Sequence, residues 1–158
     1  MSDKPDPFKL EDQVAVITGG GTGIGLGVAQ CFVSRGAQVV ITGRRKEVLE
    51  SAAAGLGERA SYQVHDVTET DTAGTLFDHA EERHGPVTCL VNNAGNQVRK
   101  PSEEITDEEF NAVWHVHVSG AFALSQEAAR RMMAREGEGS IIFMASMTAS
   151  VWPASTVS

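Results

Sequence analysis

Residues Thr18-Gly19-Gly20-Gly21-Thr22-Gly23-Ile24-Gly25 follow an apolar run, Val14-Ala15-Val16-Ile17, and open a stretch with helical periodicity. Glycine has no Cβ, so it takes up positive φ and lets the backbone come close to a ligand. The first N–H groups of the following helix then point at any anion placed there. Strand, glycine-rich turn and helix in that order make a cradle for a diphosphate, and a dinucleotide is the ligand to expect. The candidate contacts are Thr18, Gly19, Gly21, Thr22, Gly23, Ile24 and Gly25.

No metal chemistry competes with this reading. His115 and His117 are two apart on an expected helix and point to opposite sides, and His79 and His84 are five apart. Cys31 and Cys89 are distant in sequence and form no Cys-x-x-Cys pair, so both read as small buried thiols.

The elements that must position the glycine loop alternate in type. Short apolar runs rich in Val and Ile predict strands at Val14 to Thr18, Gln38 to Thr42, Ser61 to His65, Val87 to Asn92 and Ser140 to Ala145. Helices are expected at Ile24 to Arg35, Lys46 to Ala54, Thr72 to His84 and Asp107 to Arg135. Gly36 stands where a helix-ending glycine would, and Thr106-Asp-Glu-Glu109 has the form of a capping box. In the last helix Phe110, Val113, Trp114, Val118, Ala121, Phe122 and Leu124 spread widely around the barrel, which predicts burial on more than one side. The β-α alternation implies an α/β fold with a parallel sheet covered by helices on both faces. Residues 1–158 read as a single domain whose residues 1–9 form a flexible arm.

Composition narrows the partners. Thirteen basic against 21 acidic side chains give a net charge of -8, and the longest basic run is Arg44-Arg45-Lys46, so nucleic acid is not an expected partner. No apolar run approaches the roughly 20 residues of a membrane span. The polar, proline-interrupted start, Met1 to Phe8, is unlike a signal peptide, which makes a cytoplasmic location the expectation.

Four motifs in order give the chain a resemblance. The spacing Thr-Gly-x-x-x-Gly-x-Gly at Thr18 to Gly25, Asp66-Val67 after the third strand, Asn92-Asn93-Ala94-Gly95 after the fourth and Ala145-Ser146-Met147 after the fifth resemble the short-chain dehydrogenase/reductase family. The resemblance makes the sheet a Rossmann-type doubly wound parallel sheet with strand order 3-2-1-4-5, and implies hydride transfer between a nicotinamide cofactor and a small carbonyl or alcohol substrate. It adds Asp66, Val67, Asn93, Ala94 and Gly95 to the cofactor contacts, and implies a homo-oligomer through helix 107–135.

The form of the cofactor is read at the end of the second strand. An acidic side chain there would bind the adenosine ribose of NAD and repel a 2'-phosphate; this chain has Gly43-Arg44-Arg45. A guanidinium binds phosphate through paired hydrogen bonds, so Arg44 and Arg45 favour NADP(H) over NAD(H).

By the same resemblance Ser146 is the candidate that holds the substrate oxygen, donating to a developing alkoxide. His117 stands where the family carries an asparagine of the proton relay, within Val116-His-Val-Ser-Gly120. The family's Tyr-x-x-x-Lys, expected about thirteen residues after the serine, is not within the 158 residues. The single tyrosine, Tyr62, has Asp66 four positions on. The sequence is therefore expected to be part of a longer oxidoreductase and to show no turnover alone. The alternatives are a truncated dinucleotide binder or a dimer partner.

Overall fold

The computed structural model describes residues 8–135 and 138–146, and all structural statements concern these. Of the arm expected at residues 1–9, only Phe8 and Lys9 fall within them.

Alternation along the first strand, β1 (Val14–Thr18), sets the layers. All five of its residues are buried, because each face of the sheet is covered. Val14 and Val16 face one cluster, with Leu76, Phe77 and Leu124, whereas Ala15 and Ile17 face another, with Ala29, Ile41 and Leu49. The remaining strands are β2 (Gln38–Gly43), β3 (Ala60–Val64), β4 (Cys89–Asn92) and β5 (Ser140–Phe143). They run parallel in the order β3-β2-β1-β4-β5, in register Val14 with Gln38, Ala15 with Cys89 and Cys89 with Ser140. The chain winds outward from β1 to β3, then returns to the other side of β1. The loops after β1 and β4 therefore leave in opposite directions and open a crevice at the carboxyl edge of the sheet.

Helices α1 (Gly23–Ser34) and α2 (Lys46–Leu56) cover the Ala15 and Ile17 face, through Ala29, Leu49 and Ala53. The other face is covered by α3 (Ala73–His84) and α5 (Ala121–Met133), through Leu76, Phe77, Leu124 and Ala128. Arg131 on α5 ties these two helices together, its guanidinium 2.6 Å from Asp78 and 2.7 Å from Glu81 on α3. Helix α4 (Asp107–Trp114) starts at the expected capping box: the Glu109 N–H donates to Thr106 Oγ1 at 3.2 Å and the Thr106 N–H to Glu109 Oε2 at 3.1 Å. Among the described residues no helix is long and apolar enough to cross a membrane.

Three expectations need correction. The helix expected from Asp107 to Arg135 is not continuous: a π turn, His115–Gly120, separates α4 from α5. Its last residue explains part of the detour, since a Cβ on Gly120 would stand 2.4 Å from the carbonyl oxygen of Val67, a contact that only glycine allows. Nor is this region buried on more than one side. Ala121, Leu124 and Ala128 face the core, but Phe110, Trp114 and Phe122 are 58%, 50% and 65% exposed, and no described residue covers that face. Finally, Cys31 is exposed. It lies two positions, about 200° of helix, from the buried Ala29, which turns it outward. Cys89 is buried as expected, and desolvation pushes its thiol up to about 11, leaving it inert.

Candidate functional site

One hydroxyl organises the crevice. Thr18, the last residue of β1, is buried, and its Oγ1 donates to the Val91 carbonyl at 3.3 Å while accepting from the N–H groups of Asn93 and Ala94, each at 2.9 Å. The Asn93 side chain answers from the other direction, its Nδ2 donating to the carbonyls of Thr18 at 2.9 Å and Gly19 at 3.3 Å. Thus the turn after β1 and the Asn93-Ala94-Gly95 segment after β4 are built as one object.

The glycines follow from that crowding. Gly19 has φ +64, and a Cβ there would meet Asn93 Nδ2 at 3.0 Å; on Gly25 it would stand 2.4 Å from both Asn93 Nδ2 and the Gly19 oxygen. Thr22 precedes α1 in extended conformation with no side-chain cap, which leaves the first amides of the helix for an external acceptor.

A cleft of about 420 Å³ runs across this edge. Of the residues expected to bind the cofactor, the structure lines it with Gly19, Gly21, Thr22 and Ile24 from the first turn, and with Arg44 and Arg45 between β2 and α2. Asp66 and Val67 after β3, and Asn93, Ala94 and Gly95 after β4, complete that set. Thr18, Gly23 and Gly25 stand behind the wall: Thr18 and Gly25 shape it by the contacts just given, and Gly23, at φ +56, begins α1.

At the Arg44 end of the cleft, burial opposes charging of Asp66, but the Thr68 N–H at 3.0 Å, the Thr68 hydroxyl at 2.8 Å and the Arg44 charge hold its carboxyl below the ordinary value. His65 is buried, and desolvation holds its imidazole below the usual histidine value against the pull of Glu69 and Asp66. The Thr72 hydroxyl gives its proton to the Glu69 carbonyl at 2.8 Å, so it faces His65 Nδ1, 3.4 Å away, as an acceptor. The His65 proton is then on Nδ1, and Nε2 is a bare acceptor with no partner.

Sequence reasoning missed Thr42, Val48, His65 and Val116, all of which line the cleft. The buried Thr42 Oγ1 lacks a hydrogen-bond partner, as does His65 Nε2. A signal for two of them was present: Thr42 and His65 stand at the carboxyl ends of β2 and β3, the edge at which parallel sheets bind ligands.

The candidate catalytic residues are placed differently. Ser146 lies three positions beyond the end of β5, exposed on the same carboxyl edge and outside the cleft wall. His117 lies in the π turn with its ring against Gly95 and Asn96, which do line the cleft, and its Nε2 is 2.8 Å from the Asn96 carbonyl oxygen. Among the described residues no group of three or more His, Cys, Asp or Glu side chains is arranged to hold a metal ion.

Comparison with known proteins places this architecture. The profile of the short chain dehydrogenase family matches residues 13–157. The NADP-dependent (R)-specific alcohol dehydrogenase of Lentilactobacillus kefiri is 41% identical over 141 residues, which are 88% of this chain and 56% of that protein. Gluconate 5-dehydrogenase of Gluconobacter oxydans (strain 621H) is 38% identical over 90% of this chain and 57% of its own length. The chain thus spans a little over half the length of these relatives. The crystal structure of a short chain dehydrogenase from Bacillus anthracis str. 'Ames Ancestor' superimposes with a TM-score of 0.86 at 32% identity, covering 90% of this chain and 61% of that one. With the strand order, the glycine turn and the Asn93 lock already pointing the same way, these matches establish that the chain belongs to the short chain dehydrogenase family.

Proposed function

We propose that the cleft binds NADP(H), and that this chain carries the cofactor half of an oxidoreductase that reduces a carbonyl or oxidises an alcohol. The observation that carries this reading is the pairing, in one cleft, of the glycine turn with Arg44 and Arg45. The turn and the first amides of α1 would hold the diphosphate, with Asp66 and Val67 beside the adenine. Arg44 and Arg45, on the loop that enters α2, would neutralise a 2'-phosphate. The name of the Lentilactobacillus kefiri relative supports this choice.

When bound, the nicotinamide supplies or accepts the hydride. This chain's part is to orient it from the Asn93 to Asn96 wall, while Ser146 would hold the reacting oxygen on the same edge. Proton transfer needs a donor that these residues do not include, since Tyr62 is within β3 and no Tyr-x-x-x-Lys occurs. The exposed Phe110, Trp114 and Phe122 face supports self-association through α4 and α5.

Equilibrium titration followed by nicotinamide fluorescence tests the cofactor reading. NADPH binding at least about tenfold tighter than NADH, a difference of ~1.4 kcal/mol, is the expected result. Equal affinities would remove the role given to Arg44, and binding of neither would overturn the dinucleotide reading. Multi-angle light scattering of the protein against its Trp114→Asp variant reads the association: a dimer or larger species is expected to dissociate.

A further inference from the structure

The wall of the cleft at Gly95 and Asn96 is held from outside by the π turn, and the way it is held is chemically incomplete. Two backbone groups of one residue reach the same ring nitrogen: the Asn96 carbonyl oxygen is 2.8 Å from His117 Nε2, and the Asn96 N–H points at that nitrogen from 3.2 Å. A carboxamide could serve both, its oxygen accepting from the N–H and its nitrogen donating to the carbonyl. One imidazole nitrogen either carries a proton and donates, or lacks one and accepts. At 2.8 Å two lone pairs would repel, so the proton belongs on Nε2, donated to the Asn96 oxygen. The Asn96 N–H is then left facing a group that cannot accept from it.

The segment from Gly95 to Lys100 has other anchors, which fix where this defect acts. Asn96 Nδ2 donates to the Ala112 carbonyl at 3.1 Å, and Lys100 pairs with Glu109 at 2.5 Å, so both the side chain of Asn96 and the end of the loop are fastened to α4. The ring also leaves no room at Gly95, where a Cβ would stand 2.9 Å from His117 Cε1. What is left to His117 is the backbone of Asn96, its N–H and its carbonyl.

We propose that His117 is a positioning residue for the cleft wall that locks the Asn96 carbonyl and offers the Asn96 amide no acceptor, so that an asparagine at 117 completes a lock the native chain holds by half. The proposal concerns the Asn96 peptide itself; its effect on cofactor affinity rests on the dinucleotide reading above.

Three measurements on the protein and its His117→Asn and His117→Ala variants decide it. Long-range nitrogen–proton correlation of the native imidazole is expected to show Nε2 protonated; a tautomer protonated only at Nδ1 would overturn the assignment. Amide exchange at Asn96 is expected to slow at least threefold in His117→Asn, whereas His117→Ala quickens it. Unchanged exchange in both would overturn the positioning role. NADPH affinity is expected to rise in His117→Asn and to fall several-fold in His117→Ala. If NADPH binds none of the three proteins, the dinucleotide reading fails, while the exchange and tautomer results still stand for or against the lock.

Discussion

Gly25 and Asn93 occupy what would otherwise be the same space: a methyl group on residue 25 would lie 2.4 Å from the Asn93 side-chain nitrogen. Because Asn93 is committed to two carbonyls of the β1 turn, it cannot step aside without opening the joint between β1 and β4.

Gly25→Ala is therefore expected to cost about 1–3 kcal/mol of stability, as overpacking does, and to abolish NADPH binding. Gly27→Ala, two positions on in the same helix with nothing within 4 Å, is the control and should stabilise by about 0.5–1 kcal/mol through helix propensity. Urea unfolding and cofactor titration of both variants measure the contrast. Equal effects would show that helix propensity, not the Asn93 contact, governs this position.

Asn93→Ala removes the donor from the other side of the same joint. With the Thr18 carbonyl left part-buried and short of a partner, a loss of about 1–3 kcal/mol is expected. Combining it with Gly25→Ala should be non-additive in part, because the first substitution removes the Asn93 contact while the Gly19 carbonyl oxygen, also 2.4 Å from a Cβ at residue 25, stays in place. A double-mutant cycle by urea unfolding reads this, and simple additivity would count against the shared space.

Arg44→Asp is expected to remove the preference for NADPH. NADPH affinity should fall at least about tenfold, ~1.4 kcal/mol, since a carboxylate replaces a guanidinium beside a phosphate. NADH should be much less affected. The Asp66 carboxyl should rise toward its ordinary value as the Arg44 charge disappears, which NMR titration can follow.

The pH dependence of stability follows from His65. Desolvation holds its folded value below the ordinary 6.5, so the unfolded chain takes up the proton more readily than the folded one. Stability is fully present above that unfolded value and declines as pH falls below it. His84, lowered by burial and by the charges of Arg83 and His79, acts in the same direction. Urea midpoints should drop between about pH 7.5 and about pH 5.5, and His65→Gln should flatten part of the slope. A flat native profile over that interval would contradict the burial argument.

How much of this was legible in the residues depended on whether the cause was local. The strands of the sheet were readable because runs such as Val14-Ala-Val-Ile17 must be covered on both faces. Thr106 and Glu109 declared their helix start through groups three residues apart. The π turn was not readable from apolar spacing, which continues that of α4, because part of its cause is the approach of Gly120 to a carbonyl more than fifty positions earlier; only the family pattern at Val116 to Gly120 implied a distorted helix there. The exposure of Phe110 and Trp114 was also hidden, because periodicity tells which side chains are apolar and not what lies against them. In the site, glycine spacing marked the cradle, but Thr42 and His65 reach it through the strand ends, and single polar residues there carry little pattern. His117 was visible as a departure from its family. That its ring nitrogen must choose between two groups of Asn96 needed coordinates.

The joint at Thr18 also sets a schedule. Its hydroxyl, written early in the chain, waits for partners 73 to 76 positions later, at Val91, Asn93 and Ala94. At a synthesis rate of about 5–20 residues per second, several seconds separate the emergence of the glycine turn from that of the segment which shapes it. Throughout that interval the nascent chain carries the cofactor signature without a cofactor cradle. Only the arrival of β4 turns one into the other.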